Sequence, residues 1–187
     1  MANLYLGLVH HPINNKRGET VTTSVTNLDI HDIARSCKTF GVQKYFIVTP
    51  LEAQHGLVKK ILGHWEKDKN GAYNPDRQNA LSIATLVNSV DDAMAQIEEL
   101  EKKKPILAVT GANFDRFDGD SLALNSKMKS EDTPCLLLFG TGWGLHDLIL
   151  EKSDFMLDPI LGANPEGYNH LSVRSAVAIY LDRFNQK

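Results

Sequence analysis

The chain has little that would hold a protein together or anchor it by special chemistry. Only two of its 187 residues are cysteine, Cys37 and Cys135. They stand far apart with no CxxC partner, a spacing that gives neither a zinc-ligand pattern nor a disulfide framework. Both fall in apolar-periodic segments, where a cysteine behaves as a small buried hydrophobe, and free thiols fit a reducing, cytoplasmic compartment. No apolar run approaches the roughly 18 residues that a membrane helix needs. The start, Met1-Ala2-Asn3-Leu4-Tyr5, lacks the charged lead and small-residue cleavage site of a secretory signal and reads as the first strand itself. Positive charge is not in surplus either. The formal net charge is −3 and the pI about 6.1, so nothing pulls the whole molecule toward a polyanion. Any nucleic-acid surface must therefore be local, or assembled from two subunits. No repeat, linker or low-complexity tract occurs. The neighbours His10 and His11 point to opposite faces of a strand and cannot easily share an ion, so no metal is expected.

What is present is the pattern of an ordinary soluble domain, 42% hydrophobic and 23% charged. The length suits one α/β unit, expected to span 1–187. Short, nearly continuous apolar runs alternate with helical periodicity. Strands are predicted at Leu4 to His10, Tyr45 to Val48, Leu81 to Val87, Ile106 to Val109, Cys135 to Phe139 and Phe155 to Leu157. Between them lie helical patterns. Leu28, Ile30, Ile33, Ala34, Cys37 and Phe40 mark the first, with Gly41 as its stop and Asp29 and Asp32 at its positive end. Leu57, Val58, Ile61, Leu62 and Trp65 form the apolar face of the second. Val90 to Lys104 places Ala93, Ile97 and Leu100 inward, Ser121 to Ser130 is a fourth helix, Leu145 to Lys152 a fifth, and a closing helix begins at His170. Asn70-Gly71 and Asn74-Pro75 read as a loop. Strands without polar alternation are buried on both faces, so the sheet should be mostly parallel, flanked by helices on both sides.

The chemistry is expected in the last third, where loops at the carboxyl ends of buried strands feed helices. Gly140-Thr141-Gly142-Trp143-Gly144 is too short of spaced glycines for a dinucleotide fingerprint, and no GK[ST] follows to make a P-loop. Three glycines in five residues let backbone groups approach a ligand closely. The indole of Trp143, set between two of them, calls for something to cover. A second polar loop runs from Asp158 to Asn169. Asn169 reads as the cap of the closing helix.

These two blocks, LLLFGTGWGL and LDPILGANPEGYNHLSVRSAVAIYLDRF, resemble the last two motifs of the knotted SPOUT-class RNA methyltransferases. They are most similar to a bacterial family of S-adenosylmethionine-dependent RNA methyltransferases that carries GTGWGL and NHLSVR together. The stretch VTNLDIHDIARSCKTFGVQKYFIVTP agrees, so the resemblance extends over essentially the whole chain. It implies a parallel sheet whose C-terminal end is threaded as a deep trefoil knot, an exception to the rule that connections do not thread. It further implies a homodimer acting on tRNA or rRNA, with S-adenosylmethionine held in the knot mostly by main-chain groups of three loops. Here those loops would contribute Thr110 and Gly111 from the first. The second would give Phe139, Gly140, Thr141, Gly142, Trp143 and Gly144. Pro159, Ile160, Asn169, His170, Leu171 and Ser172 would come from the third.

In the branch of the class that methylates the ribose 2′-oxygen, an arginine stands six residues before a Gly-Val pair, and Arg35 before Gly41-Val42 matches it. That branch's Pro-x-Asn-x-Gly is absent, and Asp29 stands where its asparagine would align. The acidic residue after the first glycine of the middle motif is missing too. His170 aligns with an asparagine of the last motif, while Ser172 and Val173 match. Methyl transfer is an in-line displacement, so positioning does most of the work, and the acceptor must also lose a proton. Arg35 can contact a phosphate or favour an ionised hydroxyl, and is otherwise a helix-surface arginine. Histidine is the side chain suited to general-base work near neutrality, so His170 can take that role, or is a capping or supporting histidine. Arg174 can pair with a substrate phosphate or cofactor carboxylate, or with Asp182 or Glu166. A non-catalytic knotted module that holds cofactor or RNA is the alternative. Lys16, Arg17, Arg77 and Lys102 to Lys104 are candidate RNA contacts, and Tyr73 a candidate platform for a base.

Overall fold

A computed structural model describes residues 2–67 and 74–186. The Asn70-Gly71 turn and Tyr73 lie outside the described residues. The order is β1 (Leu4–Val9), a small hairpin of β2 (Ile13–Asn14) and β3 (Thr20–Val21), α1 (Asn27–Thr39), β4 (Tyr45–Val48) and α2 (Glu52–Lys67). There follow α3 (Pro75–Leu81), β5 (Ala84–Val87), α4 (Val90–Glu101), β6 (Ile106–Val109) and α5 (Ser121–Glu131). β7 (Cys135–Gly140), a single turn α6 (Asp147–Leu150), β8 (Phe155–Met156) and α7 (Val173–Asn185) complete it. Six strands make one sheet in the order β5-β4-β1-β7-β6-β8, and every adjacent pair is parallel.

The apolar runs explain that sheet. Successive strand residues face opposite sides, so a strand apolar at every position feeds two cores. Leu6, Leu8, Tyr45, Ile47, Leu137 and Phe139 enter one core with Ile30 and Ile33 of α1, Leu124 of α5, and Val177 and Tyr180 of α7. Tyr5, Val9, Phe46, Val48, Leu136 and Leu138 enter the other with Ala93 and Ile97 of α4. Cys37 and Cys135 are both free and fully buried, and burial pushes both thiols up, which keeps them protonated and inert. Among the described residues no helix is long and apolar enough to cross a membrane.

Several sequence expectations are corrected. The third strand is shorter than expected, because residues 75–81 are helical. Asn74 is an N-cap whose side chain accepts from the Arg77 N–H, and Pro75 occupies the first turn, where its missing N–H costs nothing. Leu100 is 54% exposed and Leu57 45% exposed, so neither joins the apolar face assigned to it. The segment after the glycine loop forms one helical turn, and α7 starts at Val173 with Ser172 as its cap. The β2–β3 hairpin gives no periodic signal in the sequence because its strands are two residues long.

Candidate donor site at the carboxyl edge

Because β7, β6 and β8 are adjacent and parallel, the loops that follow them leave the same edge of the sheet side by side. All three loops expected to hold a cofactor are therefore brought together by topology. The β6 loop is tied across to β8. The Asp118 carboxylate accepts from the Met156 N–H at 2.7 Å, the Asp118 N–H donates to the Met156 carbonyl, and the Asp158 N–H donates to the Gly119 carbonyl. Within this loop an added Cβ on Gly111 would stand 2.5 Å from the Phe114 ring. The Thr110 hydroxyl and N–H both donate to the Leu138 carbonyl, so this residue is spent on the sheet and offers a ligand only its own carbonyl. Phe139 is likewise buried, edge-on to Tyr180.

The glycine loop is braced from beneath by the hairpin. The Trp143 N–H donates to the Asn14 carbonyl, and the Asn14 N–H donates to Gly144. Gly140 sits where the chain doubles back, and a Cβ there would meet the Leu145 nitrogen at 2.7 Å and the Gly144 carbonyl carbon at 2.9 Å. Gly142 and Gly144 have φ of 57° and 105°, a region that L side chains rarely enter. The Thr141 hydroxyl donates to the Val9 carbonyl at 3.0 Å and is hydrogen-bonded to Thr23, whose hydroxyl lies 3.0 Å from His10 Nδ1. With the Thr141 proton committed to Val9, Thr23 must donate to Thr141. His10 must then donate through Nδ1, which leaves Nε2 a bare, buried acceptor. Burial holds His10 well below the ordinary imidazole range, at about 4, against a partial lift from Asp29. His11 turns to a different hydroxyl, that of Thr22.

In the third loop Asn169 is a brace and not the helix cap expected of it. Its Oδ1 accepts from the Gly162 N–H and its Nδ2 donates to the Ile160 carbonyl, both at 2.9 Å, which closes residues 160–169 into a compact turn. Tyr180 of α7 fixes the base of the loop by donating to the Asp158 carbonyl at 2.6 Å, and burial lifts its phenol to about 12. His170 is exposed, its ring edge-on to Tyr168 at 5.3 Å. The Ser172 hydroxyl accepts from the Ser175 N–H as the α7 cap. Arg174 pairs with neither Asp182 nor Glu166. It reaches across to α1, 3.7 Å from both Asp29 and Asp32.

Arg35 does not share this edge. It lines a cleft of about 540 Å³ between α1, α2 and α3, together with His31, Lys60, Trp65 and Arg77. Among the described residues none of the three loops lines that cleft. Sequence reasoning named Arg35, Arg77 and Trp65 separately and missed their meeting. It also missed Asn14, Thr23 and Asp118, whose hydrogen bonds span long separations that leave no local trace.

The three loops offer main chain at close range, with a Cβ excluded at Gly111 and Gly140, and they carry Trp143, Leu161, Tyr168 and Leu171 exposed. Comparison with known proteins agrees with the class this geometry suggests. The SpoU methyltransferase AviRb of Streptomyces viridochromogenes, crystallised with AdoMet, superposes with a TM-score of 0.57 at 16% identity, over 100% of this chain and 59% of that one. At that identity the likeness establishes the fold alone, and it is a SpoU fold. A family model described as SAM-dependent RNA methyltransferase matches residues 3–186, and the chain belongs to that family. A tRNA (guanine-N(1)-)-methyltransferase of Oleidesulfovibrio alaskensis is 43% identical over 97% of this chain, and a protein of Aquifex aeolicus is 34% identical over 97%. The chain spans 41% of the length of the first relative and 87% of the second.

Proposed function

We propose that this chain transfers a methyl group from S-adenosylmethionine to RNA, a tRNA or rRNA, as a single SPOUT-like domain in the cytoplasm. The observation that carries the reading is the meeting of three loops at one sheet edge, braced by Asp118, by the hairpin and by Asn169, in a chain of this family. The donor, when bound, supplies an electrophilic methyl group on a positively charged sulfur. Thr110, Gly111 and the main chain from Phe139 to Gly144 would hold it from one side. Pro159, Ile160, Leu171 and Ser172, in a loop shaped by Asn169, would hold it from the other. In this reading the chain from 158 to 172 is threaded as the knot of the class.

The residues that touch RNA are proposed as His170, Arg174 and Arg35. His170 is exposed beside the third loop, where its ring can take the acceptor's proton. Arg174 is oriented by Asp29 and Asp32 and keeps further N–H groups for an anion. Arg35, on the same helix as those carboxylates but off the donor edge, meets a phosphate of the RNA. A homodimer is supported by the exposed apolar surface of the third loop, where Leu161 is 80% and Tyr168 64% exposed. The guanine-N1 specificity in the name of the Oleidesulfovibrio relative belongs to a protein more than twice as long.

Tritiated methyl transfer to RNA from cells lacking the protein tests the reading. Label should enter RNA, and His170→Ala or Arg35→Ala should lower the rate by about 100-fold, the scale of one acid–base or positioning group. Full incorporation by both variants would remove them from the reaction. No incorporation by the wild type would favour a module that binds without turnover.

A further inference from the structure

The cleft between α1, α2 and α3 lies apart from the three loops, and the donor has no use for it. Its volume, about 540 Å³, falls within the roughly 300–1,000 Å³ of small-ligand sites. Arg35, Lys60 and Arg77 all face it, and among the described residues none of them pairs with a carboxylate. The acid in its wall, Asp32, is engaged by Arg174 from the α7 side. A chain of net charge −3 therefore concentrates three cations around one hollow. At its centre the Arg77 guanidinium lies over Trp65, 5.3 Å from the ring centroid, with His31 and His64 edge-on to the indole at 5.7 and 5.5 Å. Burial, together with the nearby Arg77 and Arg35, lowers the His31 pKa against a lift from Asp32, and its Nδ1 has no hydrogen-bond partner among the described residues.

We propose that this cleft binds one nucleotide of single-stranded RNA, its base stacked on the Arg77–Trp65 pair and its phosphates held by Lys60 and Arg35. The proposal deepens the RNA reading above and rests on it. A nucleotide combines a diffuse anion with a flat ring, and the cleft offers cations beside a cation–aromatic stack. Bases stack on guanidinium planes as well as on rings, and such platforms tolerate any base. A bare anion would need the cations and not the indole, and a purely apolar ligand would need the indole and not the cations. Arg35 lies on α1 six residues beyond Asp29, which Arg174 contacts from the third loop's helix. RNA held in the cleft would therefore lie alongside the helix that the proposed reaction centre also uses.

The test is the binding of a short fluorescent single-stranded RNA of mixed sequence, followed by anisotropy across a salt series. Donor binding by calorimetry serves as the control for folding. Lys60→Gln combined with Arg35→Gln should flatten the slope of log K against log salt by about 0.7 per lost phosphate contact. Trp65→Leu should weaken binding about tenfold. Both variants should keep wild-type donor affinity. If Trp65→Leu loses the donor as well, it has unfolded, and the slope of the double variant decides. Wild-type affinity and slope in both variants would overturn the cleft while leaving the methyltransferase reading intact. Displacement of the RNA by polyglutamate at equal charge concentration would replace the nucleotide by a mere anion and overturn it too. A wild type that neither binds this RNA nor labels cellular RNA would defeat the underlying reading along with the cleft.

Discussion

Gly140→Ala should abolish useful donor binding while leaving the sheet folded. The methyl group would sit 2.7 Å from the Leu145 nitrogen and 2.9 Å from the Gly144 carbonyl carbon. Both are backbone atoms of the turn itself, so no side-chain rotation can relieve the contact. Leu145 cannot retreat easily, because it is buried in the second core and bridged to Ile13 of the hairpin. The loop must shift as a body, at a cost of about 1–3 kcal/mol in a close-packed interior. A displacement of that kind is expected to weaken donor affinity on the order of 100-fold, since binding here depends on main-chain placement. Gly56→Ala is the matched control. It lies in α2 with nothing within 4 Å of the added carbon, and should leave donor binding unchanged while stabilising the protein by roughly 0.5–1 kcal/mol. Equal donor affinity in Gly140→Ala and the wild type would show that the turn is not part of the site.

The second large effect is a loss of stability in mild acid traced to His10. Its folded pKa is about 4, and an unfolded histidine titrates near 6.5. Above pH 6.5 both states are neutral and the group contributes no pH dependence. Between about 6.5 and 4 the unfolded chain takes up a proton that the folded protein refuses, so stability falls as the pH falls. The slope is about 1.4 kcal/mol per pH unit, which amounts to roughly 3 kcal/mol across the window. Below about 4 both states are charged and the loss stops growing. His10→Asn keeps an N–H to donate to Thr23 but cannot titrate. Urea unfolding of both proteins from pH 7 to about 4 should show the wild type losing roughly 3 kcal/mol more than the variant. Parallel curves would mean that His10 does not titrate differently in the two states. Donor affinity of the folded protein should hold through this window, because His10, which supports Thr141 through Thr23, stays neutral in the folded state down to about pH 4.

The sheet was legible because its signal is local. Tyr45 to Val48 and Ile106 to Val109 are apolar at every position, and a strand buried on both faces has no other way to read. The boundary of α7 was displaced because Leu171 continues the apolar pattern backwards past Ser172, and only the cap geometry marks where helical hydrogen bonding begins. The loops of the donor site were legible as glycine and asparagine clusters. Their supports were not, since the link from His10 to Thr141 joins residues 131 positions apart through a hairpin too short to show periodicity. Arg174 illustrates the same limit. Charge alone offered it nearby acids, Glu166 and Asp182, whereas packing of α7 on α1 brings it to Asp29 and Asp32. The cleft takes its residues from three helices, so Arg35 and Arg77, each a candidate RNA contact in the sequence, show no common site until the helices are placed together.

The central claim is that the loops after β6, β7 and β8 form one site for a methyl donor with a positively charged sulfur. Calorimetric titration of the purified chain with S-adenosylmethionine, and with its demethylated product, tests it most directly. Saturable heat for both, at one site per chain and lost in Gly140→Ala, is the predicted result. No heat with either compound, from protein shown to be folded, would contradict it.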